Sequence, residues 1–212
     1  VKKNRNITVQ PEIYYSKVGA DGSLEGFTAV PFNDSLGYAV MHPFVDEETR
    51  RLYFSSDMPG GMGGYDLYYS EYDANMVFGT PVNLGPGVNT AGNETHPFRK
   101  GSKFYFSSTG HKGMGGMDIF EAGYTAASIT NAVNMGSPIN SIADDFAYRE
   151  DKDRTVYLSS NRKGGMGLDD IYMAKEMYKQ FLARVLDCNG EVITQTYLAT
   201  FRDKTQGIMV PT

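Results

Sequence analysis

The sequence predicts an all-β fold assembled from repeated units of four short strands. Three observations carry this: a motif recurs three times in constant register, each copy is rich in Tyr and Phe, and glycine-rich turns separate the apolar runs. Aromatic residues make up 13% of the chain, with 15 Tyr, 12 Phe and no Trp. Tyr and Phe suit the half-buried surface of a pleated sheet.

The repeat is read from its anchors. Leu52-Tyr-Phe-Ser-Ser56 leads to Gly61-Met-Gly-Gly-Tyr-Asp-Leu-Tyr68, and Phe104-Tyr-Phe-Ser-Ser108 to Gly113-Met-Gly-Gly-Met-Asp-Ile-Phe120. Val156-Tyr-Leu-Ser-Ser160 leads likewise to Gly165-Met-Gly-Leu-Asp-Asp-Ile-Tyr172. Met62, Met114 and Met166 are each 52 residues apart, and so are Asp66, Asp118 and Asp170. The flanks repeat as well: His42-Pro-Phe44 matches His96-Pro-Phe98, Val82-Asn-Leu-Gly85 matches Val133-Asn-Met-Gly136, and Asn89 matches Asn140. A partial copy opens the chain, since Ile13-Tyr-Tyr-Ser16 matches Leu67-Tyr-Tyr-Ser70 and Asn4-Arg5 is like Asn161-Arg162. On this reading the chain starts inside a repeat, near the end of its second strand.

Within the second copy, strands are expected near His96–Phe98, Lys103–Ser108, Asp118–Gly123 and Ala132–Met135. Short strands with turn signals at such intervals indicate an all-β array. A four-stranded unit of this length matches a β-propeller blade. Helical repeats of similar period do not fit, because each copy holds several glycines and each costs ~1 kcal/mol in a helix interior. A β-sandwich does not explain a strict period.

The expected organisation is therefore a propeller segment over 1–177, with a partial blade at 1–40 and three recognisable blades at 41–94, 95–145 and 146–177. A second β domain is expected to start in 178–212. The abrupt opening at Val1-Lys2-Lys3 reads as that of a fragment or processed chain, so the propeller is expected to be part of a larger ring.

Composition bounds the function. The chain has 212 residues, 41% apolar content and a formal net charge of −5. That is enough apolar material for a core. Mild acidity without clustered Lys and Arg argues against a nucleic-acid partner. No stretch approaches the ~20 apolar residues of a membrane helix. The single cysteine, Cys188, forms no internal disulfide and reads as a residue of an Asp-Cys-Asn-Gly turn.

The phrases Leu52–Ser56, Gly61–Gly64 and Asp66–Tyr68, with their two further copies, resemble the TolB-like, WD-type propeller repeats of OmpA-associated envelope proteins of Bacteroidetes. The resemblance covers residues 1 to 177. The tail, from Phe181-Leu-Ala-Arg-Val-Leu-Asp187 through Asp203-Lys-Thr-Gln-Gly207, resembles the start of a carboxypeptidase-regulatory-like β domain, with one extra residue in its last element. The resemblance implies a periplasmic, outer-membrane-associated scaffold that binds protein partners of the cell envelope, as in type IX secretion. It implies peptidoglycan contact only through an OmpA-like domain, and no signature of one is visible in this chain. An accessory propeller beside a hydrolase domain is the alternative. Such a chain would continue into βαβ units carrying a nucleophile elbow. A lectin-like propeller needs a carboxylate cluster or an aromatic platform that the sequence does not offer.

The Gly-Met-Gly-Gly runs lack the Lys-Ser/Thr and following helix of a phosphate loop, so they read as tight loops in which glycine supplies special backbone angles. Asp66, Asp118 and Asp170 each stand alone among Gly and apolar residues. They read as structural acceptors for backbone N–H groups of their own loops, not as calcium ligands, which come in sets of oxygens. His42 and His96 occupy one site in two copies, with Ala147 in the third, and read as packed strand residues. No unique nucleophile–base set is present, so no catalytic residue, metal or cofactor is expected. Asp144-Asp145 and Asp169-Asp170 read as surface pairs, not a glycosidase dyad. The sharpest feature is the methionine series Met62, Met114 and Met166, each between glycines in equivalent loops. With Tyr65 and His111 nearby, these adaptable side chains either form a partner-binding rim or plug their own loops.

Overall fold

The structure, a computed structural model, describes residues 9–175, 189–192, 201–202 and 209–210. The chain divides into two compact units, Val1–Glu176 and Met177–Thr212. The described residues form strands, turns and loops without a helix.

The first unit opens with an antiparallel hairpin of β1 (Tyr14–Val18) and β2 (Leu24–Ala29). A four-stranded antiparallel sheet follows, made in sequence order from β3 (Val40–Asp46), β4 (Arg51–Ser56), β5 (Asp66–Glu71) and β6 (Val82–Asn83). A second sheet repeats it with β7 (Glu94–Lys100), β8 (Lys103–Ser108), β9 (Asp118–Tyr124) and β10 (Ile129–Asn134). A third sheet contains β11 (Asp145–Glu150), β12 (Thr155–Ser160) and β13 (Asp170–Lys175). In the second unit β14 (Phe201–Arg202) pairs antiparallel with β15 (Met209–Val210). The expected tail features at 181–188 and 203–207, and the expected strand end at 1–5, lie outside the described residues.

The second copy carries its four strands where the motif places them, with β7 and β10 longer than the sequence suggests. The third sheet has three strands among the described residues, and the stretch that would carry a fourth strand of that copy lies outside them. The central pairing register is identical in all three sheets: Ser56 faces Asp66, Ser108 faces Asp118 and Ser160 faces Asp170.

The second strands β4 and β8 are buried on both faces, which explains their near-continuous apolar runs. Successive side chains point to opposite faces, and each face serves a different core. Leu52, Phe54 and Tyr68 pack with Ile13, Val30, Phe32 and Val40. Tyr53 and Leu67, on the opposite face, pack with Phe104, Phe106 and Phe120 of the second sheet. Tyr105 and Ile119 then pack with Tyr148 and Leu158 of the third. The cores thus sit between successive sheets, and full burial of each such aromatic stabilises by about 1.5–3 kcal/mol. The first strand of a sheet also lies against the sheet before it: β7 against β3, β4 and β5, and β11 against β7, β8 and β9.

The repeated second serine closes each second strand. Its hydroxyl accepts the amide two residues on: Met58 to Ser56 at 3.1 Å, Gly110 to Ser108 at 3.0 Å and Arg162 to Ser160 at 3.1 Å. First strands carry a bulge at one place, where pairing slips between Met41 and Phe44, between Thr95 and Phe98, and between Phe146 and Arg149. His42, His96 and Ala147 sit in these bulges with φ of 53°, 52° and 58°. The third copy has lost the histidine but kept the left-handed backbone.

Candidate functional site

The three glycine loops link β4 to β5, β8 to β9 and β12 to β13, so each leaves its sheet where the second strand ends. The carboxylate at the start of the third strand organises each loop. Asp66 Oδ2 accepts the Met62 amide at 2.5 Å and the Asn83 side-chain amide at 2.9 Å. Asp118 Oδ2 accepts the amides of Met114 at 2.6 Å and Gly115 at 3.1 Å. Asp170 accepts the Gly167 amide at 3.1 Å. Asp66 and Asp118 are fully buried. The glycine before each methionine is pressed on its aspartate: a Cβ on Gly61, Gly113 or Gly165 would stand 2.6, 1.8 or 1.8 Å from Oδ2. Among the described residues no three His, Cys, Asp or Glu side chains converge on a metal position.

The remaining glycines have a different reason. A Cβ on Gly63 would stand 2.4 Å from the Thr90 carbonyl oxygen, and one on Gly115 would stand 1.9 Å from that of Ala143. Both carbonyls belong to the linker that carries the chain into the next sheet, so glycine here permits backbone to touch backbone. The approach is held by backbone bonds across the seam. Glu94 donates its amide to Tyr65 O at 2.6 Å, Asp145 donates to Met117 O at 2.7 Å, and Val40 donates to Pro11 O at 2.9 Å.

The methionine side chains point away from this packed base. Met62 is 45% exposed, Met114 48% and Met166 fully exposed. Tyr65 is half-buried, and its backbone belongs to the seam. His111 is turned inward: its Nε2 meets Val88 O at 2.8 Å, and its ring lies 5.1 Å from Phe120 and 5.6 Å from Phe106. It supports the loop base from below and contributes little free surface.

The sequence matches Asn89 with Asn140 without giving them a role, and the structure supplies one that Asn33 shares. Asn33, Asn89 and Asn140 each clip one strand residue with both ends of the side-chain amide. Asn89 accepts the Leu67 amide at 2.8 Å and donates to Leu67 O at 2.9 Å, and Asn140 does the same with Ile119 at 2.8 Å each way. Asn33 treats Ile13 likewise, but a shorter loop shifts it out of the motif register. Asp57, Thr109 and Asn161 keep the repeat spacing and accept the amides of Ala39, Asn93 and Asp144.

One surface reading is corrected. Asp145 is fully buried and ion-paired with Arg162. Hydrogen bonds from Ser160, Arg162 and Ser141 hold its carboxyl below the usual carboxylate range against the opposing effect of burial. Its counterpart Glu94 is also fully buried, with bonds from Thr90 and Ser108 in place of a cation. A cleft of about 160 Å³ opens between the first two sheets beside Arg51, Tyr69 and Tyr124. That is below the ~300–1,000 Å³ of enclosed small-molecule sites.

No protein-family model matches the chain, and no curated protein matches it.

Proposed function

We propose that this chain is a segment of a β-propeller serving as a non-catalytic, protein-binding scaffold of the bacterial cell envelope, periplasmic and associated with the outer membrane. The observation that carries the binding role is the exposure of Met62, Met114 and Met166 on equivalent loops whose backbones are tightly held. Rigid loops bearing unbranched, polarisable side chains suit a surface that meets protein partners. The envelope assignment, including a type IX secretion role, rests on the motif resemblance alone.

Support for a larger ring comes from the third sheet. Tyr157 is 38% exposed and Ile171 79% exposed, whereas the equivalent Tyr53, Leu67, Tyr105 and Ile119 are buried against a following sheet. A further sheet of the same kind would cover this face.

The test replaces Met62, Met114 and Met166 together with Ser and measures capture of outer-membrane-fraction proteins alongside the melting temperature. Burial of each methionine contributes about 1.5–3 kcal/mol to a complex. Weakened capture with an unchanged melting temperature is expected. Unaltered capture with a large loss of melting temperature overturns the docking role and makes the methionines plugs of their own loops.

A further inference from the structure

The first strands β3, β7 and β11 lie side by side, and here the third copy breaks the repeat. Phe44 pairs with Tyr53, Phe98 with Tyr105 and Arg149 with Tyr157, so Arg149 stands where the other copies place phenylalanine. Its guanidinium lies over the Phe98 and Phe44 rings, 5.1 and 5.9 Å from their centroids. Beside it the rings of His42 and His96 stack at 3.8 Å. Ala147, in the third position of that series, puts no third ring there.

The electrostatics of this cluster are uncompensated. Among the described residues Arg149 makes one hydrogen bond, from Nη1 to the carbonyl of Tyr148 at 2.8 Å. Among the described residues no carboxylate lies within ion-pair distance of it, while Arg51 and Arg162 each have one and Arg99 has two. Burial without a partner lowers its pKa, the reverse of Arg51 and Arg99. Both imidazoles are held neutral, His42 at about 4 and His96 at about 3, by burial and by neighbouring positive charge that includes Arg149. His42 Nδ1 is engaged by the Ser55 hydroxyl at 2.8 Å and His96 Nδ1 by that of Thr95 at 3.0 Å.

We propose that Arg149, with His42 and His96, forms a binding site for a carboxylate group, borne either by a partner polypeptide or by a free small acid. The guanidinium is planar and its flat face is taken by phenylalanine rings, so its remaining donors point along its edge. That edge matches a planar carboxylate in two parallel bonds. A single permanent charge flanked by neutral imidazoles suits a monoanion better than a phosphate dianion. An unpaired, partly desolvated cation is costly unless something neutralises it. It arises where the chain departs from its own repeat. This site does not rest on the scaffold reading and is tested without it.

The test follows the Cε1–H resonances of the histidine rings in the whole chain by NMR during titration with sodium acetate, succinate, inorganic phosphate and a capped Gly-Glu-Gly peptide. His111, bonded to Val88, serves as the internal reference. Saturable shifts of His42 and His96 are expected with a carboxylate while His111 stays still. In Arg149→Gln the affinity should fall about tenfold or more, as expected for loss of a charged hydrogen-bond donor. Arg149→Lys keeps the charge without the planar fork and should bind in between. Thermal melts of both variants verify folding. Binding of the capped peptide identifies a polypeptide-borne group; binding of acetate or succinate alone identifies a free acid. The proposal is overturned by phosphate binding tighter than any carboxylate, by all three histidines shifting together, by an affinity indifferent to Arg149→Gln and Arg149→Lys, or by the absence of saturable shifts.

Discussion

Gly115 lies so close to the carbonyl oxygen of Ala143 that a Cβ on it would stand 1.9 Å away. The contact joins the glycine loop of the second sheet to the linker entering the third. Gly63 makes the same approach to Thr90. Gly167, at the same motif position in the third copy, has nothing nearer than the Asp169 carbonyl at 3.5 Å. Its neighbour Leu168 replaces a glycine and is 90% exposed.

Gly115→Ala is therefore expected to destabilise the chain by about 1–3 kcal/mol, because a backbone contact under 3 Å yields only by moving the linker. Gly167→Ala is expected to fall within about 0.5 kcal/mol of the parent. Denaturant titration of the two variants compares them directly. Equal effects contradict the seam as the reason for glycine.

Removing an asparagine clip has a calculable cost. Asn140→Ala leaves the buried Ile119 amide without its acceptor and removes a donor from the Ile119 carbonyl. A loss of about 2–3 kcal/mol is expected. Asn33→Ala, at a half-buried site, should cost less because water reaches the freed groups. Urea unfolding midpoints at constant slope measure both.

Stability should also fall in mild acid. His42 and His96 titrate near 4 and 3 in the fold, below the ~6.5 of an unfolded imidazole. Below about 6.5 the unfolded chain therefore binds more protons than the native one. Their contribution is complete above pH ~6.5 and is lost as pH falls toward the folded values, with a slope of up to about 1.4 kcal/mol per pH unit for each ring. Partial exposure of the pair reduces that slope. His42→Gln with His96→Gln should flatten the stability curve between pH 6.5 and 4. An unchanged slope shows that other groups govern it.

Much of the strand arrangement was legible from the chain. The recurring Ser-Ser and Asp anchors appear as equal registers in three sheets, because a short strand, its turn and its returning strand are settled by neighbours close in sequence. The Asp-to-loop bonds were legible for the same reason, since donor and acceptor lie only a few residues apart. The acid pair at 144–145 was misjudged because alternation alone assigns one side chain to each face. It does not reveal that both faces are covered in an array of stacked sheets.

From the chain alone follow the period, the strand order within a unit and the residues able to make each turn, since all depend on local backbone geometry and side-chain alternation. Packing of one sheet on the next settled the rest. It determined which glycines are indispensable, since Gly115 needs Ala143 beside it and Gly167 has no such neighbour. It buried Asp145 against Arg162, and it set Arg149 beside two histidines from different sheets. Those relationships join groups far apart in the chain, and no periodic signal encodes a distance between separate repeats.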